Sequence, residues 1–198
     1  MSFLELDDKI LLAVNGLHAP WADTLMWTIS GRAVWIPLYL LLAYILLRQE
    51  GWRRTLVWLA GIALVILISD QTCIHGLRQV FCRPRPCNLA DNPIAPLVHV
   101  VNAYRSGRYG FPSAHAANTA ALVCYLHLIL RRRWLTTALA AWCALVCYSR
   151  MYLGVHYMGD LLGGAVVGCL SAVLVYALIK KFILPRLLKS NLVRKFAE

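Results

Sequence analysis

Residues 109–130 read YGFPSAHAANTAALVCYLHLIL and contain no Asp, Glu, Lys or Arg. A helix that crosses a bilayer needs about 20 predominantly apolar residues, so this stretch is long enough to span a membrane. Residues 161–179 form a second charge-free stretch of the same kind. Hydrophobic residues make up 60% of the chain, whereas soluble domains contain about 45–50%. The sequence therefore predicts an integral membrane protein.

Three further charge-free stretches lie around these two, at residues 33–47, 55–69 and 134–149. Each reaches spanning length when a terminal charged side chain extends to the membrane interface. We therefore predict an all-α, polytopic membrane helical bundle of about five transmembrane helices, folded as one domain over residues 1–198. The predicted spans, which make up a catalytic bundle over residues 30–181, are residues 30–48, 54–77, 113–131, 134–151 and 158–181.

The N-terminal segment, residues 1–29, predicts an amphipathic helix that lies in the membrane interface. Three acidic residues within the first eight positions argue against a signal peptide. Apolar and polar residues are mixed at helix-like spacing, as in an amphipathic helix, while Pro20 and Asp23 argue against an uninterrupted transmembrane span. We expect a turn near His18 and Pro20 that leads into the first span. A sixth full span remains the alternative.

The basic residues divide unequally between the two sides of such a bundle. The loop after the first span, the loop after the third span and the C-terminal segment contribute three, three and six basic residues, twelve of the 20 in the chain. The positive-inside rule places these twelve in the cytoplasm, with residues 182–198 as a basic cytoplasmic tail that binds anionic lipid. The opposite face then lies in the periplasm of a bacterial inner membrane. The positive-inside rule does not explain the eight basic residues on this outer face, and binding of an anionic ligand there would explain them.

Three distant segments place their polar residues at that outer face. They lie at the end of the second span, at the start of the third, and between the fourth and fifth. The candidate site residues from these segments are Arg78 and Arg85, then Ser113, Ala114 and His115, then Arg150, His156 and Asp160.

The spacing of these residues resembles the three motifs of the type 2 phosphatidic acid phosphatase and vanadium haloperoxidase superfamily, and in particular its short bacterial membrane lipid phosphatases. The motifs are RQVFCRPRP at 78–86, PSAH at 112–115 and SRMYLGVHYMGD at 149–160. The resemblance covers roughly residues 60 to 180. The chain departs from the usual pattern at two positions. Arg78 stands where the family usually has Lys, and Ala114 stands where it more often has Gly, so the charge and the backbone N–H are both kept.

The resemblance implies a metal-independent phosphatase that forms a phosphohistidine on His156. Asp160 would orient the ring of His156, and His115 would act first as general acid and then as general base. Charge on the phosphate would be balanced by the three motif arginines, with Ser113 and the N–H groups near Ala114 at a helix N-terminus. No cofactor is expected, because guanidinium groups replace the cation and no carboxylate cluster suited to Mg²⁺ is evident.

The substrate predicted from a site at a membrane surface is a lipid phosphate, and the expected partners are that lipid and the bilayer. We favour undecaprenyl diphosphate or a lipid A phosphate, because both present phosphate at the outer leaflet; phosphatidylglycerol phosphate and phosphatidic acid remain possible. Arg105 and Arg108 favour a second phosphate slightly. No nucleic-acid partner is expected, and the oligomeric state is open. The alternatives are a lipid-phosphate binding or transporting protein without turnover, and a vanadium haloperoxidase.

Four residues near the motifs have open or minor predicted roles. Arg83 is interpreted as a solvated or headgroup-facing charge, because only Arg85 fits the first motif. Asp70, inside the second span, is expected to make a structural hydrogen bond, although an ionisable group at such a position is often functional. Cys82 and Cys87 flank the arginines on the oxidising side, so a disulfide and two free thiols are both considered.

Overall fold

The computed structural model describes residues 3–187, so most of the predicted tail at 182–198 lies outside the described residues. Within the described range the chain is helical without a β-strand, which confirms the all-α prediction. The α-helices are Phe3–Asn15 (α1), Pro20–Ser30 (α2), Ile36–Gln71 (α3), Arg78–Phe81 (α4), Ala114–Leu130 (α5), Arg133–Tyr152 (α6) and Met158–Leu178 (α7).

The first two predicted spans form the two helical arms of α3, which meet at a sharp break at Gly51. Helix α3 continues through Gly51, whose φ of 74° and ψ of 162° interrupt the helical geometry. Glycine adopts a positive φ without steric cost, so this position can bend the helix sharply. A π-helical turn, Thr72–Leu77, then connects α3 to α4. A π-turn changes the helical phase, and here it leads directly into Arg78 of the first motif.

The exterior of the bundle is apolar. Leu40 on α3 and Leu170 on α7 are 66% and 65% exposed, which suits contact with lipid tails rather than water. Two helical segments, Ala33–Phe81 and Met158–Leu187, are long and apolar enough to cross a membrane. The shorter Ala114–Leu130 is also apolar.

Helices α5 and α7 cross at very close range because α7 is glycine-rich at the crossing. A Cβ atom added to Gly164 would lie 2.3 Å from the carbonyl oxygen of Ser113, and one added to Gly168 would lie 2.0 Å from that of Ala117. The small residues in GDLLGGAVVG therefore pack within the bundle. This contact fixes the start of α5, and with it the second motif, against the start of α7.

The N-terminal segment folds as two short helices joined by a turn at residues 16–19, as predicted. At 13 and 11 residues, each helix is shorter than the roughly 20 residues needed for a span. Helix α1 packs on the bundle, where Asp7, Leu11 and Asn15 are buried. The amide nitrogen of Asn15 donates to the carbonyl oxygens of His99 and Tyr152, at 2.9 and 2.7 Å. Helix α1 thereby ties the loop between α4 and α5 to the end of α6.

Candidate active site

The connection between α6 and α7 presents the third motif. Helix α6 ends at Tyr152, and Gly154 turns the chain with a φ of 68°, where an added Cβ would lie 2.3 Å from the side chain of Val98. Helix α7 begins at Met158. His156 therefore precedes the helix and does not share a helical face with Asp160.

Asp160 reaches His156 as the third residue of α7. Its carboxylate caps the helix by accepting the backbone N–H of Tyr157 at 3.1 Å. The same oxygen, Oδ2, lies 3.3 Å from Nδ1 of His156. Both side chains are buried. Asp160 therefore stabilises the start of α7 and orients the imidazole at the same time.

Arg85 contacts the other nitrogen of the same imidazole. Its Nη1 lies 2.9 Å from Nε2 of His156 and 2.8 Å from the carbonyl oxygen of Val155. A guanidinium can only donate, so Nε2 accepts and carries no proton. The ring proton then sits on Nδ1, where Asp160 accepts it. This tautomer leaves the Nε2 lone pair directed toward the arginine side of the pocket.

The electrostatic environment keeps His156 neutral. Burial of the ring, together with the positive charges of Arg85, Arg150 and Arg78, holds the pKa of His156 well below its usual value of 6.5. Burial also lowers the pKa of Arg85 to about 10, with smaller effects from the charges of Arg78 and Arg150. At neutral pH the site therefore contains a protonated guanidinium beside an unprotonated imidazole.

The second motif joins the third through the backbone. The N–H of Ser113 donates to the carbonyl oxygen of Asp160 at 2.9 Å. The Ser113 hydroxyl oxygen accepts the N–H of Ala116 at 3.5 Å and caps α5. Ala114 and His115 are thus the first two residues of α5. The structure brings this motif to the same rim of the bundle as the third.

The remaining two motif arginines approach from different sides. Arg78 donates from Nε to the carbonyl oxygen of Pro112 at 3.3 Å, which links the first motif to the second. Arg150 is buried and donates from Nη1 to the hydroxyl of Ser30, the last residue of α2. Sequence reasoning did not identify Ser30, because nothing in its local sequence indicates contact with α6.

Arg83 is not a solvated charge, which corrects the sequence interpretation. Its Nη1 donates to Oδ1 of Asp160 at 3.1 Å, and its Nη2 donates to Oδ2 of Asp7 at 2.8 Å. Its guanidinium also lies 4.1 Å from the ring centre of Tyr157. Asp7 in turn accepts the backbone N–H of Gly159 at 3.0 Å. Arg83 and Asp7 therefore form a second layer behind Asp160, with Asp7 supplied by the N-terminal helix.

The loop between α4 and α5 uses its other polar groups internally. Arg105 donates to the carbonyl oxygen of Cys87 at 2.7 Å, and Arg108 pairs with Asp91 at 2.8 Å in an exposed contact. These partners weaken the argument for a second phosphate at Arg105 and Arg108. Cys82 and Cys87 are free thiols, the first exposed and the second buried.

Asp70 makes the structural hydrogen bond that the sequence predicted. Its Oδ1 accepts the side-chain amide of Asn118, on α5, at 2.8 Å. Both residues line a cavity of about 250 Å³ whose wall also includes His115 and Arg32. His115, the candidate general acid, thus lines a cavity that none of the other candidate site residues line.

An all-helical bundle with an apolar exterior and a basic pocket around a neutral histidine defines a membrane enzyme that acts on phosphate groups. The model of the PAP2 superfamily matches residues 56–184, so the chain belongs to the PAP2 superfamily, as its motifs predicted. It is a membrane lipid phosphatase of that superfamily, and hence a hydrolase.

Two relatives and one solved structure illustrate the likeness. The lipid A 4′-phosphatase of Bacteroides thetaiotaomicron is 41% identical over 89% of this chain and 78% of that protein. The lipid A 4′-phosphatase of Porphyromonas gingivalis is 31% identical over 87% of this chain and 72% of its own. The crystal structure of a PAP2-type phosphatidylglycerolphosphate phosphatase from Bacillus subtilis is similar with a TM-score of 0.62 and 25% identity, and covers 90% of this chain and 87% of that one.

Proposed function

We propose that this phosphatase transfers a phosphate from a lipid to Nε2 of His156 and then to water. The observation that carries the proposal is the imidazole held between two partners, Asp160 at Nδ1 and Arg85 at Nε2. One partner fixes the tautomer, and the other marks where an anionic phosphate oxygen would bind. An adjacent orienting group of this kind is typical of nucleophilic catalysis.

The proposed reaction has two steps, transfer of the phosphoryl group to His156 and hydrolysis of the phosphohistidine. A phosphate oxygen displaces His156 as the partner of Arg85, and the guanidinium groups of Arg78 and Arg150 bind the other oxygens. Nε2 attacks phosphorus, the bond from phosphorus to the lipid oxygen breaks, and His115 gives its proton to that oxygen. Water then attacks the phosphohistidine, His115 takes a proton from the water, and inorganic phosphate leaves. Catalysis consists mainly of positioning and charge stabilisation, as is general for phosphoryl transfer.

Ser113 and Ala114 contribute the start of α5 to the same anion site. The Ser113 hydroxyl oxygen already accepts from Ala116, which leaves its proton free to be donated to a phosphate oxygen. The N–H groups at the first turn of a helix, here beginning with Ala114, attract negative charge in addition. Behind them, Arg83 and Asp7 hold Asp160 in position.

The substrate we favour is a lipid A phosphate. The two relatives described above carry the name lipid A 4′-phosphatase, and they cover most of this chain. Undecaprenyl diphosphate ranks second, because Arg105 and Arg108 are engaged within their own loop. Phosphatidylglycerol phosphate and phosphatidic acid complete the set of candidate substrates.

The membrane arrangement we propose has five spans, with the two arms of α3 on either side of Gly51 counted separately. Helices α5, α6 and α7 supply the other three. The catalytic rim faces the periplasm of an inner membrane, because twelve of the 20 basic residues fall on the opposite side. A substrate phosphate at the outer leaflet would then meet the pocket directly.

The test is a phosphate-release assay in detergent with the four candidate lipids, each with and without EDTA. Wild type, His156→Ala and a control, His127→Ala, are compared. His127 contacts Thr136 at the far end of α5. We expect release by wild type and the control in EDTA, and a loss of about 10⁴-fold or more in His156→Ala, as is typical when a covalent nucleophile is removed.

Further measurements distinguish this mechanism from its alternatives. Labelled substrate should leave an acid-labile, base-stable phosphoryl group on wild type and none on His156→Ala. If neither wild type nor His156→Ala releases phosphate above background, a lipid-phosphate binding or transporting protein is favoured instead. Equal release by both above background would contradict His156 as the nucleophile. Release that EDTA abolishes would contradict the metal-free mechanism. Bromide oxidation on addition of vanadate would favour the haloperoxidase alternative.

A further inference from the structure

A cleft continues from His115 into the interior of the bundle, between α3, α5 and α6. It consists of two adjoining cavities of about 250 and 290 Å³. Tyr39, Ile66 and Trp142 line both cavities, as do Asn118 and Thr119. Because these residues line both, the two cavities adjoin, and together they extend from the proposed general acid to the level of Leu46.

The end of the cleft near His115 has mostly apolar walls, but polar side chains and one charge of each sign also line it. Arg32 and Asp70 both line it and carry opposite charges. Asn118 adds an amide and Thr119 a hydroxyl. A second phosphate on the ligand would face a carboxylate here as well as a guanidinium. Hydroxyl and amide groups, which both donate and accept, match this end better than another anion does.

Two polar atoms in the wall of the cleft have no partner among the described residues. They are Nε1 of Trp142 and Oδ1 of Asn118. Trp142 is only 8% exposed, and a buried indole N–H usually finds an acceptor. Buried unpaired groups cost free energy unless a ligand or water satisfies them. One unpaired donor and one unpaired acceptor therefore indicate a ligand that carries both kinds of group.

The far end of the cleft is apolar. Leu42, Ala43, Leu46 and Leu59 line it from α3, and Leu122 lines it from α5. A hydrocarbon chain can fill such a space, and burial of each CH₂ group is favourable. The cleft thus places a polar site beside the reacting oxygen and a chain site immediately beyond it.

We infer that this cleft binds the leaving group, and that the leaving group is an acylated sugar rather than a polyprenyl phosphate. The inference rests on the proposed function, because it uses His115 as the acid for the leaving oxygen. An acylated amino sugar carries hydroxyl and amide groups within a few atoms of its phosphate, together with an acyl chain. Asp70, Asn118 and Trp142 bind its polar groups and thereby determine specificity, while Leu42 and Leu46 contact the chain.

The experiment compares kcat/KM for a lipid A phosphate with kcat/KM for p-nitrophenyl phosphate, which lacks both sugar and chain. The variants are Trp142→Phe, which removes an N–H that has no partner in the protein, and Asp70→Asn. Trp134→Phe is the matched control, since Trp134 is exposed at the other end of α6. We expect the ratio of the two kcat/KM values to fall about tenfold in each cleft variant, the effect of one lost hydrogen bond to a ligand, and to stay at the wild-type value in Trp134→Phe.

A second arm tests the chain site and the rival leaving group. Ala43→Phe should lower kcat/KM for a long-chain lipid A phosphate more than for a short-chain analogue. Wild type should prefer the lipid A phosphate over undecaprenyl diphosphate. Equal losses on both substrates in Trp142→Phe and Asp70→Asn, or a wild-type preference for the diphosphate, would overturn the inference. If His156→Ala is still inactive in that case, the phosphohistidine mechanism stands and only the cleft assignment fails.

Discussion

Replacement of Asp7 by Asn tests whether the N-terminal helix takes part in catalysis. Asp7 is 3% exposed. It pairs with Arg83 at 2.8 Å, and Arg83 donates to Asp160 at 3.1 Å. Asp160 orients the proposed nucleophile, so Asp7 acts on the reaction through two intermediate side chains. It is a positioning residue that touches no substrate.

The expected magnitude follows from what the substitution leaves in place. Removal of one partner of a buried ion pair costs about 3–5 kcal/mol. Arg83 is 16% exposed and keeps Asp160, and an asparagine still accepts the N–H of Gly159. The cost should therefore approach that of one hydrogen bond to a charged group, about 1.5–3 kcal/mol. If about 1.4 kcal/mol of this cost is added to the activation free energy, kcat falls about tenfold.

The assay is single-turnover formation of the phosphoenzyme in detergent, together with steady-state kcat and KM. We expect kcat to fall while KM changes little, since the arginines proposed to bind phosphate are untouched. Asp91→Asn is the matched control, because Asp91 pairs with Arg108 at 2.8 Å in an exposed loop. A wild-type kcat in Asp7→Asn, or an equal loss in Asp91→Asn, would refute the positioning role. Thermal unfolding of each variant separates this effect from loss of folded protein.

Two further predictions concern protonation and packing. In an NMR titration, the ring carbon resonance of His156 is identified as the one that is missing in His156→Gln. Its chemical shift should not change between pH 8 and pH 6, because the pKa of His156 lies well below 6.5. A midpoint near 6.5 would contradict the burial of the ring. As the pH falls, His156 is protonated at a higher pH in the unfolded chain than in the folded protein. The stabilisation that comes from the neutral ring is therefore present above pH 6.5 and declines as the pH falls below it. Gly168→Ala should lower the free energy of unfolding by about 1–3 kcal/mol, since its new Cβ meets the backbone of Ala117; an unchanged melting temperature in detergent would show that α5 and α7 can separate freely.

The helices and the site motifs were readable from the sequence because both depend on local patterns. Charge-free stretches of spanning length predicted the helical segments, and fixed spacings predicted which residues of the three motifs meet. The break between the first two spans was also predicted, and Gly51, which lies between Glu50 and Trp52, is where it occurs.

Contacts between residues far apart in the chain were not readable. Asp7 and Arg83 are separated by 76 positions and meet only because α1 packs against the bundle. Ser30 meets Arg150 across 120 positions for a similar reason. The cleft beside His115 depends on the packing of three helices, and no periodicity in the sequence encodes it.

The four arginines near His156 divide into two kinds by their partners. Arg83 faces two carboxylates, so its charge is compensated within the protein. Arg78, Arg85 and Arg150 form no ion pair with a carboxylate in the part of the chain that the structure describes, and they donate to carbonyl or hydroxyl oxygens or contact the imidazole. Uncompensated guanidinium groups in a buried pocket produce a strong positive potential, and a phosphate dianion relieves it. The motif spacing distinguishes Arg85 from Arg83 by position alone, whereas the distribution of carboxylates gives the physical reason why only one of them is available to the substrate.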